Sequence, residues 1–132
     1  MTKETVDPYV IGRHVFANLY GIGREKLTNL EYIRDLAVRA AKEANMTIVD
    51  VHAWSFGGVK GGVSVIVLVN ESHLAIHTWS EYDYATVDIY TCGDASDPWK
   101  ALEVIMEELN PARYRVGYAD RSSYTVGEPI NG

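Results

Sequence analysis

The spacing of apolar residues changes period along the chain, and each change marks an element. After a polar start closed by Pro8, the run YVIGRHVFANLYG is rich in β-branched and aromatic residues and predicts a strand. Leu27, Leu30, Ile33, Ala37, Ala40, Ala41 and Ala44 then recur at helical spacing, with Thr28 and Glu31 as a capping box in front and Asn45 at the end. MTIVDVHAWSF returns to strand, FGGVKGGVS is a glycine-rich loop, and VSVIVLV is a continuous apolar run that predicts a central strand covered on both faces. HLAIHTW and YATVDIYTC, joined by SEYD, predict a hairpin. A second helix starts at Asp97-Pro98, a cap followed by proline in the first turn. It buries Ala101, Leu102, Ile105, Met106 and Leu109 before Asn110-Pro111 stops it. RYRVGYA is a last strand with Tyr114, Val116 and Tyr118 on one face, and from Ser122 the tail reads as loop.

The order strand, helix, several strands, helix, strand leaves two helices to cover one face of a sheet. The expected fold is α/β (α+β): a two-layer sandwich in which a mostly antiparallel sheet carries two helices on one face, in a single domain spanning residues 1–132. The other face must meet water or a partner. Apolar positions on both faces of several strands predict a homodimer packed sheet against sheet. If the hairpin turns around Glu81 to Asp83, paired residue numbers sum to about 164 and Ser72 lies opposite Cys92, within the ~5 Å of opposed positions. His77 lies an odd number of residues beyond Ser72 and would point to the opposite face of an ideal strand. Ser72 is therefore expected in the turn before the strand begins.

Composition narrows the partners. Twelve Lys and Arg against eighteen Asp and Glu give a formal charge of −6, which argues against a phosphate-backbone ligand and suits a cationic substrate. No stretch approaches the ~20 apolar residues of a membrane span, and MTKETVDPYV lacks a signal-peptide core, so a cytoplasmic protein is expected. A lone cysteine, Cys92, has no internal disulfide partner; it is either a small buried hydrophobe or a reactive thiol. The glycine-rich loop is not followed by Lys-Ser/Thr or by a helix, which argues against phosphate binding.

The segment NESHLAIHTWSEYDYATVDIYTCG concentrates the reactive groups: Ser72, His73, His77 and Cys92 gather at one end of the predicted sheet. Taken singly, Ser72 is a turn-capping hydroxyl and His77 a half-buried imidazole. Taken together they admit a Ser-His nucleophile pair, although no nucleophile-elbow pattern surrounds Ser72. Metal binding by His73, His77 and Cys92 is also open, although no tight ligand spacing supports it.

ESHLAIHTWSEY, ATVDIYTCG and DPWKA resemble the prokaryotic S-adenosylmethionine decarboxylase family, and the likeness runs from IGRHVFANLYG to about Tyr118. Members of that family are proenzymes that cut themselves to make a pyruvoyl group. The resemblance implies that the Ser72 hydroxyl attacks the Glu71 carbonyl, so that residues 1–71 become a β chain and 72–132 an α chain headed by pyruvoyl, the covalent cofactor. It further implies His77 as the base of self-processing, Ser64 as a helper near the cleaved bond, and Cys92 as the proton donor in decarboxylation of an amino acid held as a Schiff base. An imidazole suits the first task because it exchanges protons near neutral pH. A thiol can donate a proton and be recharged. No metal is implied.

The substrate is where the chain departs from the S-adenosylmethionine pattern. Ser80 stands where the family's H-T-W-P-E has Pro, which is expected to loosen the turn. The loop from Phe56 to Ser64 is longer and lacks Pro, so Phe56, the expected stacking partner of adenine, is expected to be displaced. GYADRSS resembles an archaeal branch of the family that decarboxylates arginine. A guanidinium seeks a planar carboxylate, and Glu81 and Asp120, with Asp83 and Asp88 also flanking the site, are the candidates. The expected activity is arginine decarboxylation to agmatine and CO2 in polyamine biosynthesis, by a homodimer of cleaved protomers. S-adenosylmethionine decarboxylation is the alternative, and an uncleaved binding or regulatory paralogue is the alternative of another class.

Overall fold

The computed structural model describes residues 10–57 and 61–123. Tyr9 of the first expected strand, residues 58–60 of the glycine-rich loop and most of the expected tail lie outside the described residues. The elements are β1 (Gly12–Tyr20), a one-turn helix α1 (Arg24–Leu27), α2 (Leu30–Glu43), β2 (Ile48–Ser55), β3 (Val63–Val69), β4 (Ser72–Trp79), a 3-10 turn (Ser80–Tyr82), β5 (Tyr84–Cys92), α3 (Pro98–Leu109) and β6 (Arg113–Asp120). The strands form one six-stranded sheet in the order β2-β3-β4-β5-β1-β6, and its neighbouring strands run antiparallel. Among the described residues no helix is long and apolar enough to cross a membrane.

Alternation along the strands sorts the side chains. Val15, Ala17 and Leu19 of β1, Val65 and Val67 of β3, Leu74 and Ile76 of β4, and Val87 and Ile89 of β5 point to one face. They meet Ile33, Leu36 and Ala40 of α2 and Ala101 and Ile105 of α3. Each fully buried Leu or Ile there contributes about 2 kcal/mol of hydrophobic stabilisation. The alanines along α2 let the helix lie close to the sheet. Tyr114, Val116 and Tyr118 share this face, but on an edge strand they are only half covered; Tyr118 stacks on Trp99 with ring centroids 6.0 Å apart.

Three expectations change. The strand β3 is not covered on both faces within one chain: Ile66 and Leu68 are 37% and 48% exposed, because α2 and α3 lie on the other side. The Thr28–Glu31 capping box does not form. Residues 24–27 make their own turn, Thr28 donates its hydroxyl back to the Arg24 carbonyl, and Asn29 caps α2 by accepting from the Tyr32 amide at 3.1 Å. The hairpin register is also one residue off the expectation. The β4–β5 connection spans Ser80 to Asp83, with Asp83 left-handed at φ 53°, so Trp79 pairs Tyr84 and Ser72 faces Thr91 rather than Cys92. An even-numbered loop shifts the ladder by one, and a one-residue slip exchanges the faces of every side chain.

Candidate active site

The β3–β4 connection is tight: Val69 pairs Ser72 across the two residues Asn70 and Glu71. Ser72 is the first residue of β4 and has φ 151°, in the region where only glycine is at ease. A non-glycine residue held there stores roughly 1–3 kcal/mol of strain and persists only where its surroundings hold it. Here they do. The Asn70 amide donates to the Thr47 carbonyl at 2.9 Å, and the Thr47 amide donates to Glu71 Oε1 at 3.1 Å. The Cys92 amide donates to the Glu71 carbonyl at 2.9 Å. That carbonyl belongs to the Glu71–Ser72 peptide bond, so an N–H already aims at the oxygen that would gain charge if the bond were attacked.

Cys92 touches the site twice. Beyond its backbone donor, its Sγ lies 3.4 Å from Ser72 Oγ. Although Ser72 does not face Cys92 in the ladder, the unusual φ at the end of β4 lets its hydroxyl reach across. The pairing of these two side chains expected from sequence is therefore met by a route the simple register did not contain. Beyond β5, Gly93 turns away at φ 84° and its amide donates to the Ile11 carbonyl at 2.8 Å.

Ser64 and His77 form a second pair. They are opposed across β3 and β4, and Ser64 Oγ lies 2.8 Å from His77 Nδ1. With Phe56, Gly62, Thr78 and Trp79 they line a cleft of about 320 Å³. Phe56, at the edge of the longer loop, borders this cleft and is 63% exposed. The expectation that Ser72, His77 and Cys92 gather at one end of the sheet is corrected. His77 sits five residues up β4, about 16 Å along a strand rising ~3.3 Å per residue; strict alternation would put position 72 on the other face, but the φ of 151° turns the Ser72 hydroxyl to Cys92, on the open face that His77 shares.

The open face between the two pairs is a groove of about 840 Å³. On its floor Asp88 accepts from His14 Nε2 at 2.7 Å and from His73 Nε2 at 3.0 Å. The His73 hydrogen bond, aided by His14 and opposed by burial, holds the Asp88 carboxyl down to about 2. Burial pushes the Tyr90 phenol up, and the adjacent Cys92 thiol adds to the effect. With both oxygens engaged, Asp88 is not a ready partner for a guanidinium. Among the described residues no group of three His, Cys, Asp or Glu side chains converges as a metal site requires.

The other expected residues are spread over both ends. Glu81 is exposed in the 3-10 turn, at the His77 end. Asp83 caps that turn, and its carbonyl accepts from the Gly21 and Ile22 amides. Asp120 pairs Arg13 in the same cross-sheet row as Ser72, and its Oδ1 accepts from the Ser122 amide. Ser80 does not loosen its turn: it is 1% exposed and donates its hydroxyl to the Gly61 carbonyl, tying the glycine-rich loop down. Thr47, His14 and Tyr90 were not singled out from sequence. The even-numbered alternation of 88, 90 and 92 along β5 was the one available signal for Tyr90.

Known proteins match this architecture. A family model described as S-adenosylmethionine decarboxylase matches residues 13–122. The arginine decarboxylase proenzyme of Aeropyrum pernix is 57% identical over 119 residues, covering 90% of each chain. That of Hyperthermus butylicus is 54% identical over 129 residues, covering 96% of this chain and 91% of its own. The crystal structure of the adenosylmethionine decarboxylase from Aquifex aeolicus superposes with a TM-score of 0.79 at 39% identity, over 93% of this chain and 98% of that one. With the family model spanning most of the sequence and relatives at this identity, the chain belongs to the S-adenosylmethionine decarboxylase family.

Proposed function

We propose that the protein is a self-cleaving, pyruvoyl-dependent decarboxylase that converts L-arginine to agmatine and CO2. The observation that carries the reading is the Glu71–Ser72 junction: a strained serine whose preceding carbonyl already accepts a hydrogen bond from Cys92. In self-processing Ser72 Oγ attacks the Glu71 carbonyl carbon, the C–N bond breaks and an ester forms, with the proton passing to the freed amine. Removal of the Ser72 α-proton expels the Glu71 carboxylate and leaves dehydroalanine. Its enamine tautomerises to an imine, and water releases ammonia to leave the keto group. The Cys92 amide stabilises the oxyanion of the first step, and relief of the Ser72 backbone strain favours the opening. The site's fit to a pyruvoyl group rests on this junction, with the Cys92 thiol beside the residue that would carry it.

When formed, the group supplies an electron sink for loss of the substrate's carboxylate. The chain's own residues do the rest. Cys92 Sγ, next to position 72, delivers the proton that replaces CO2. His77 is the processing base and Ser64 its helper, and they reach Ser72 only from a second copy. A twofold axis across β4 near Ala75, with the open faces packed about 10 Å apart, lays the His77 end of one strand over the Ser72 end of the other. The apolar Ile66 and Leu68 on the open face suit that homodimer of cleaved 1–71 and 72–132 chains.

Arginine is favoured because the relatives at 57% and 54% identity are arginine decarboxylase proenzymes. Glu81 and Asp120 are the proposed guanidinium partners. One observation favours S-adenosylmethionine as the second reading: Phe56 lines the cleft beside Ser64 and His77, where an adenine ring could stack. The mass of the purified protein is expected to show two fragments divided before Ser72, and labelled arginine is expected to yield CO2. Release from S-adenosylmethionine alone would overturn the substrate assignment, and a whole chain that releases CO2 from neither would overturn the enzyme.

A further inference from the structure

Asp88 joins three strands. It lies midway along β5 on the open face, and each of its oxygens takes a different imidazole, His14 from β1 at 2.7 Å and His73 from β4 at 3.0 Å. His73 is the residue directly after Ser72. The geometry is braced from outside: Arg121 donates to His14 Nδ1 at 3.1 Å, so Nε2 carries the proton that goes to Asp88. Both imidazoles also flank the Tyr90 ring, at centroid distances of 5.7 and 5.9 Å, and the Arg121 guanidinium lies 4.9 Å above it. Tyr90 stands two residues before Cys92 on the same face of β5, so the cluster ties the start of β4 to the strand that carries the thiol.

Self-cleavage, on which this inference rests, changes what holds position 72. Before it, the Asn70-Glu71 turn ties β4 covalently to β3. After it, residue 72 heads a free chain, and chain ends fray unless something fastens them. The ladder alone is weakest at its last rung. A reacting group displaced by about 1 Å can lose ~100-fold in rate.

We propose that the His14–Asp88–His73 clamp is a positioning device for the reactive chain end: Asp88 pins His73 so that residue 72 stays beside Cys92 once the peptide bond is gone. Asp88 and the two histidines touch neither substrate nor reacting atoms in this role. An ordinary contribution to stability would act equally before and after cleavage, whereas the clamp matters chiefly after it.

The test compares Asp88→Asn with the parent in two full-length backgrounds, the self-cleaving chain and the uncleaved Ser72→Ala chain. An amide offers one acceptor oxygen where the carboxylate offers two, and its NH2 group opposes the His73 N–H unless that imidazole moves its proton to Nδ1, so the His73 arm is weakened. Deuterium exchange at the amides of residues 73–76 is expected to be unchanged in the uncleaved background and at least ~10-fold faster in the cleaved one. In the cleaved enzyme kcat is expected to fall about 10- to 100-fold with KM within about threefold. Equal acceleration of exchange in both backgrounds, or wild-type exchange and kcat in cleaved Asp88→Asn, overturns the clamp while leaving the decarboxylase reading intact. A wild-type chain that never cleaves overturns that reading and the clamp with it. Should Asp88→Asn not fold, His73→Asn releases the same arm and is read against the same outcomes.

Discussion

At the residue scale, the backbone and the hydroxyl of Ser72, the proposed cleavage residue, are under separate constraints. The φ of 151° is costly for any residue with a Cβ, and the hydroxyl is the proposed nucleophile. Removing the hydroxyl in two ways separates the two. Neither Ser72→Ala nor Ser72→Gly can cleave, but glycine accepts the conformation that alanine resists. Urea unfolding is expected to find the glycine variant about 1 kcal/mol more stable than the alanine variant. Equal midpoints, or alanine ahead, would show that the backbone at position 72 is not strained. Sequence pointed to this serine through its neighbours, Glu71, His73 and Cys92. The amide of Cys92 on the Glu71 carbonyl was invisible there, because a backbone donor leaves no mark on residue type.

At the element scale, local rules worked where the signal was local. Asp97 caps α3 by accepting from the Trp99 and Lys100 amides, with Pro98 behind it, and Asn110 ends the helix in the left-handed region at φ 48°. The front of α2 went otherwise, since Thr28 was taken by the preceding turn and Asn29 became the cap. Asp97→Ala and Asn29→Ala are each expected to cost about 1 kcal/mol in denaturant unfolding, and Thr28→Ala less than half of that. A Thr28 effect as large as that of Asn29 would restore the capping box. The hairpin shows the same limit from another side: its strands were legible, but whether three or four residues make the loop rests on a 3-10 turn at Ser80–Tyr82 that packs against the glycine-rich loop. That contact is tertiary.

At the scale of the whole molecule, one protomer holds two candidate side-chain pairs that do not meet. Ser72 with Cys92 lies at one end of the open face and Ser64 with His77 at the other, with the Asp88 clamp between. If two copies complete each other, inactive variants should complement. Ser72→Ala lacks the proposed cleavage residue and His77→Ala the proposed base, yet a mixed dimer contains one intact pairing. Co-expressed, the two are expected to give two-fragment protein and about a quarter of wild-type activity, the statistical share for twofold pairing. No cleavage in the mixture, while each variant folds and dimerises, would place His77 and Ser72 in the same chain's site and refute the shared arrangement.

The sequence by itself determined the elements and the helices on one face and nominated the candidate residues, because hydrophobic period, caps and residue chemistry are properties of neighbours along the chain. Only the tertiary structure decided the one-residue register of the hairpin, the strained φ at Ser72, the hydrogen bond on the Glu71 carbonyl and the separation of His77 from Ser72. The physical reason is that a strand alternates its faces strictly: a single added loop residue, set by contacts distant in sequence, reassigns every side chain across the sheet.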